Sequence, residues 1–316
     1  MMIQHPEAPK QPTELRLEHE QDLSALRALA DPSQLNTLML FSCHLSDLGP
    51  LAELPRLTRL TLNCCDQVKD LSPLARLPHL TALHLVFGEQ LSHLGQLAEL
   101  QELTELGLYG WKGSDLAPLA RLTHLNTLSL WNCWQMSDLR PLAGLTALTT
   151  LSLLGGKRVR DLSPLAGLTA LTTLNLNLCE QMRDLSPLVG LARLTELALG
   201  SCSQVSDLCP LAGLTYLTKL DLQWCSQVSD LGPLAGLHAL TTLNLCACEP
   251  VGDLLPLAHL THLTEVDLSF CPLVIDLSPL ARLPQLTTLS LKGNGRILRA
   301  GRLRALEGLP QLTIVR

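Results

Sequence analysis

The 316-residue sequence lacks a basic excess: 23 Lys and Arg stand against 29 Asp and Glu, for a formal net charge of -6. Nucleic-acid binding draws its affinity from clustered lysine and arginine that displace counterions from phosphates, so that class of partner is excluded. Long hydrophobic runs are missing too. Thr, Ser, Asp or Asn breaks each leucine run well short of the roughly 20 residues a membrane span requires, so the chain reads as soluble with no membrane partner. The opening MMIQHPEAPKQPTELRLEHE carries prolines among polar residues and no apolar segment, so it is not read as a secretory signal. Residues 1–13 are expected to form a flexible tail. Catalytic signatures are absent as well: there is no G-x-S-x-G, H-E-x-x-H, G-x-x-x-x-G-K-[ST] or C-x-x-C. Neither an enzyme nor a cofactor is expected. Aromatics are scarce, at four Trp, two Tyr and three Phe, which makes their placement informative.

What fills the sequence is leucine in a fixed rhythm. LTTLNLNLCEQMRDLSPLVGL, Leu171 to Leu191, returns almost unchanged as LTTLNLCACEPVGDLLPLAHL, Leu240 to Leu260. In Leu194, Leu197 and Leu199 the spacing passes from three to two, the signature of a turn entering a short strand with alternate side chains inward. The following DLCPLAGL spaces Leu208, Leu211 and Leu214 by three, which suits one or two helical or 3-10 turns on the opposite side. One such coil cannot bury both faces, but stacked coils can.

The core L-x-x-L-x-L-x-x-C resembles the leucine-rich repeat family, with cysteine where many members carry asparagine. The tail D-L-x-P-L-A-x-L is similar to bacterial internalin-like repeats and to the repeat tails of bacterial signalling NTPases. The resemblance covers about residue 14 to the C-terminus. It implies an α/β solenoid: a leucine-rich repeat horseshoe with a parallel concave sheet and short helical or 3-10 turns on the convex side. Residues 14–316 are then a single domain of about 12 to 13 repeats of 22–23 residues, atypical at both ends.

Two columns follow from the repeat. The first, a ladder, runs Cys43, Cys65, Gly88, Trp111, Cys133, Gly156, Cys179, Cys202, Cys225, Cys248, Cys271 and Asn294. Stacked coils about 4.8 Å apart hold these side chains parallel, too far apart for disulfides and unable to converge on a metal, so reduced thiols and a cytoplasmic location are expected. The second column holds Asp22, Asp47, Asp70 and Asp115, then an Asp every 23 residues from Asp138 to Asp276, and is interrupted by His93. Each Asp is expected to cap the turn beginning at the next leucine, with the nearby proline in its first turn. His259 and His262 are split by a repeat boundary, and Cys246 has only Gln223 and Ser269 at its register in adjacent coils, so neither is read as a reactive site.

If the leucines point inward, the residues between them form the concave face. Six of the nine aromatics fall in the two positions just before the ladder: Phe41, Phe87, Tyr109, Trp131, Trp224 and Phe270. With Trp111 and Trp134 they make the candidate partner-binding set, since exposed aromatic anchors dominate binding surfaces. The region around them departs from the repeat: His93 and Gln96 replace Asp and Pro, and Gly107, Gly110 and Gly113 are expected to loosen a turn. Glu105, Asp221 and Asp267 join the set and, with Glu196 and Glu265 against Arg59, Lys219 and Lys292, make the face mildly acidic. The reading is a non-catalytic module that binds a protein or peptide partner. A sensor or regulatory subunit of a separate enzyme, such as a signalling NTPase or phosphatase, is the alternative that the resemblance implies. GRILRAGRLRALEGL is expected to form a terminal helical turn, and LPQLTIVR a last strand or a place for end-to-end self-association.

Overall fold

The computed structural model describes residues 13–23, 26, 31–65, 67–86, 94–299 and 302–316. The expected N-terminal tail falls outside these residues apart from Thr13, and so do Phe87, Gly88 and His93. Fourteen parallel strands form one open sheet in strict sequence order, from β1 (Glu14–Glu18) to β14 (Thr313–Val315). Leu174 pairs with Leu197 and Leu197 with Leu220, so identical registers stack directly. Between strands the chain returns along the convex side through 3-10 turns of three to five residues, which begin just after a repeat leucine except at Pro32–Gln34 and Arg302–Leu306. This is the expected solenoid horseshoe, and its core is a continuous row of buried leucines. No helix among the described residues is long and apolar enough to cross a membrane.

Three side-chain columns recur along the stack, one capping within its own coil and two tying coil to coil. The Asp column caps as expected, but across the leucine: Asp184 Oδ1 accepts the Ser186 amide at 2.8 Å and Asp230 Oδ1 the Gly232 amide at 2.7 Å. These amides open the 3-10 turns, and proline follows in the first turn, where a missing N–H costs nothing. Where Gln96 replaces proline, its amide bridges to the preceding coil, donating to Asp70 Oδ1 at 2.9 Å and accepting from the Leu71 amide at 3.0 Å. A threonine column goes beyond the sequence reading. Thr218 Oγ1 donates to the Thr195 carbonyl at 2.9 Å, which also accepts the Thr218 and Lys219 amides, and Thr241 repeats the bond to Thr218.

The ladder cysteines also bond between coils. Cys202, Cys225, Cys248 and Cys271 each place Sγ 3.0–3.1 Å from the carbonyl of an inward leucine one coil back, and Asn294 Nδ2 takes the same place at 2.7 Å from Leu268. All eleven cysteines are free thiols. Burial pushes Cys133 up to about 11 and Cys179, Cys225, Cys248 and Cys271 up to about 12.

Among the described residues, a left-handed backbone recurs once per coil. In the register just before the ladder, Ser42, Cys64, Asn132, Leu178, Ser201, Trp224, Ala247 and Phe270 have φ between 51° and 62°, and Gly110, Gly155 and Gly293 between 75° and 79°. From Gly156 onward the ladder amide bonds back to the strand's last inward leucine, as in Cys225 N to Leu222 O at 3.1 Å. This is the geometry of a type II turn, which requires positive φ at its third residue.

Near the C-terminus, α1 (Gly295–Arg299) and a 3-10 turn at Arg302–Leu306 form the expected terminal helical segment, and β14 pairs with β13 (Thr288–Ser290) as the last strand. Gly107 lies within β5 (Glu105–Tyr109) and not, as expected, in a turn.

Two outcomes follow. At pH 8 a thiol reagent should modify Cys64, Cys209 and Cys246 in the folded protein and the remaining eight cysteines only on unfolding, since those eight are buried. Rapid labelling of the ladder in the native state would show that the column is open. The second concerns acid. Hydrogen bonds from the Ser72, Ser163, Cys209 and Ser278 amides hold Asp70, Asp161, Asp207 and Asp276 below the usual carboxylate range, and the Arg140 side chain takes Asp138 to about 2. A depressed folded pKa stabilises fully above the unfolded value and is lost as pH falls through the folded one, so the melting temperature should drop between about pH 4 and pH 2. Each cap is solvated and its share is small. A melting temperature that holds or rises down to pH 2 would contradict the capping role.

Candidate interaction surface

The concave face divides into an N-terminal polar and aromatic group and a C-terminal ridge. In the first, Arg59 of β3 (Arg59–Asn63) reaches across Ala82 to Glu105, two strands away, with Nη1 to Oε2 at 2.9 Å. The small, buried Ala82 between them lets the two side chains meet. His84 of β4 (Ala82–Val86) bridges the group, with Nε2 2.8 Å from Glu105 Oε1 and Nδ1 3.1 Å from the Tyr109 hydroxyl. These contacts keep the Glu105 carboxyl below its ordinary range even though burial works against them. Tyr109 folds back over Gly107, where a Cβ would lie 2.5 Å from its ring, and meets Trp131 edge-on at 6.0 Å between centroids. A larger residue at 107 would lift the tyrosine off the sheet. His84 was not in the predicted set, although its register, between Thr61 and Gly107, was readable from the repeat.

The predicted residues sort by register. Trp131, Trp134, Trp224 and Phe270 are 46–58% exposed, and Tyr109 and Phe41 are partly buried, with the Arg16 guanidinium 4.2 Å from the Phe41 ring centre. Trp111 is a correction: it is 0% exposed, so it offers no surface to a partner. The ladder points into the core, and the indole fills that register with its Nε1 unpaired. Phe87 lies outside the described residues. Glu105 is committed to Arg59 and His84. Asp221 and Asp267 face the concave side with no cation in ion-pair range among the described residues. Asp221 accepts the Gln223 amide at 3.0 Å, and burial raises its carboxyl above the usual value. It lines a shallow hollow of about 330 Å³ with Asn175, Ala198, Asn244 and the Lys219–Glu196 pair, whose ends lie 2.6 Å apart.

The ridge runs along the left-handed register. Leu178, 37% exposed, stands one coil from Ser201, and Trp224 and Phe270 stand to either side of Ala247. Leu178 was missed because only aromatics were read as anchors in this column. Among the described residues, no three His, Cys, Asp or Glu are grouped to hold a metal ion. The arrangement is a surface of exposed rings, amides and two acids that have no ion-pair partner among the described residues.

Comparison with known proteins finds similarity to leucine-rich repeat proteins. The family profile described as Leucine Rich repeats (2 copies) matches residues 33–76 and 123–167. No curated protein sequence matches the chain. Among solved structures, an internalin (inlF) from Listeria monocytogenes is 25% identical, with 96% of this chain and 86% of that one covered at a TM-score of 0.63. Internalin C2 from the same organism is 34% identical over 61% of this chain and 82% of that one, with a TM-score of 0.54. The functional domain of InlJ from Listeria monocytogenes, described as including a cysteine ladder, shares the fold at 20% identity, with 96% of this chain and 62% of that one covered at a TM-score of 0.60. On the stacked strands, the repeat match and the identity to internalin C2, the chain belongs to the leucine-rich repeat family, with repeats similar to those of internalins.

Proposed function

We propose that the chain is a non-catalytic module that holds a protein or peptide partner against its concave face. The leucine-rich repeat fold in general serves protein interaction. The observation that carries the finer reading is the exposure of Trp131, Trp224 and Phe270 beside a core already filled by leucine. Large rings left in water where the chain has an ample core contribute little to folding and much to binding. Trp224 and Phe270 also occupy positive-φ positions, where a bulky residue is strained by about 1 kcal/mol or more relative to glycine. The aromatic group formed by Tyr109 and Trp131 and the pair Trp224 and Phe270 are the two anchor regions. Asp221 and Asp267, with no ion-pair partner of their own among the described residues, favour a partner with basic character. The eleven free thiols suit a reducing, cytoplasmic setting.

Affinity capture from a cell lysate with the wild-type chain, Trp131→Ala and Trp224→Ala tests the reading. Each substitution should reduce partner recovery several-fold. The melting temperature should barely move for Trp224→Ala. Trp131→Ala loses its edge contact with Tyr109, worth about 0.5–1.5 kcal/mol. Unchanged recovery, or a collapse of stability with either substitution, would show the rings to be structural.

A further inference from the structure

The exits of the strands β8 (Thr173–Asn175) to β13 alternate in size with a period of two coils. Leu178, Trp224 and Phe270 are large and exposed, whereas Ser201, Ala247 and Gly293, one coil after each, are small. The backbone holds these positions alike, Ser201 and Ala247 included, so the alternation lies in the side chains. Leu178, Trp224 and Phe270 each donate their amide to the next coil, to the carbonyls of Gly200, Cys246 and Lys292, at 2.7–2.8 Å. The Phe270 ring leans over Gly293, where a Cβ would come within 2.4 Å of it, so the gap after this tooth needs a glycine. The result is a comb whose teeth stand two strand spacings apart, about 9.6 Å. Beside it Asp221 and Asp267 keep the same interval, with the neutral Asn244 between them.

Few regular peptides repeat a face at that distance. A β-strand returns to the same side every second residue, at about 6.7 Å or 13 Å. An α-helix returns after seven residues at about 10.5 Å, and would be roughly 2 Å out of step across three teeth. Polyproline II has three residues per turn and a rise of about 3.1 Å, so each third residue recurs on one face at about 9.3 Å. Its prolines would seat in the gaps between apolar teeth at little ordering cost, and a cation on every third residue would meet Asp221 and Asp267 in turn. Lys219 is already paired with Glu196, so the acids are left for a cation from outside.

We infer that the comb of Leu178, Trp224 and Phe270, with Asp221 and Asp267, docks a proline-rich peptide in polyproline II conformation that carries arginine or lysine at every third residue. This rests on the reading of the chain as a protein-interaction module and specifies the partner's chemistry. Three successive teeth set the register, and the acids set the sign of charge.

The test compares labelled (Pro-Pro-Arg)4 with a peptide of equal composition whose four arginines are contiguous, by fluorescence anisotropy at about 0.15 M salt. The periodic peptide should bind the full chain at least tenfold more tightly than the blocked one. The double substitution Asp221→Asn with Asp267→Asn should weaken it at least tenfold, and Trp224→Ala or Phe270→Ala should erase the preference for the periodic peptide. Circular dichroism melting should show each variant folded as the wild type. Equal binding of the two peptides would reduce the site to nonspecific charge and overturn the inference, and so would binding of neither. If (Pro-Pro-Arg)4 fails while Trp224→Ala still lowers recovery from the lysate, the polyproline assignment alone falls. If both fail, the interaction reading falls with it.

Discussion

The spacing of hydrogen-bonded strands, about 4.8 Å, governs this molecule. Every coil is set on the next at that distance by amides that bond across, so each side chain lies against its own equivalent one repeat away. A position can then be occupied only by residues that tolerate copies of themselves, or near copies, as neighbours. Leucine meets this by packing. Threonine and cysteine meet it by donating to a carbonyl of the coil before, and aspartate by turning its charge outward and its oxygen onto a local amide. The stability of such a rod is close to a sum over neighbouring coils.

The same constraint explains what was readable. The inward leucines, the ladder and the capping aspartates recur at fixed intervals, and their roles follow from chemistry within one coil. The threonine column recurs as regularly, but it was read only as a break in apolar runs, since its bond joins two coils. Trp111 was misplaced because its aromatic identity was weighed above its register, and the register points inward. The left-handed position left a trace in the sequence: its described members are glycine, serine, asparagine, alanine, cysteine, leucine and aromatics, with no valine, isoleucine or threonine, whose branched Cβ fits positive φ worst. The contact of Arg59 with Glu105 was not readable. It spans 46 residues and depends on Ala82 being small.

Small residues between large ones recur on the surface. Ala82 lets side chains two coils apart join, Gly107 gives the tyrosine a seat, and Gly293 makes room for Phe270. In a stack this tight, surface relief is made by omission as much as by addition. The left-handed exits are where relief is greatest, since Trp224 and Phe270 stand more than half exposed there while Ala247 between them is buried. Core and surface therefore vary almost independently, which separates holding the rod together from presenting its face.

The unit length of 23 residues has a consequence for how such a face could change. Gaining or losing one whole coil between Trp224 and Phe270 would leave every ladder, cap and leucine in place. The distance between those two rings would step from about 9.6 Å to about 14 Å, or shrink to about 5 Å. A ruler graduated in whole coils can thus be re-marked by duplication alone, with no adjustment of the interior.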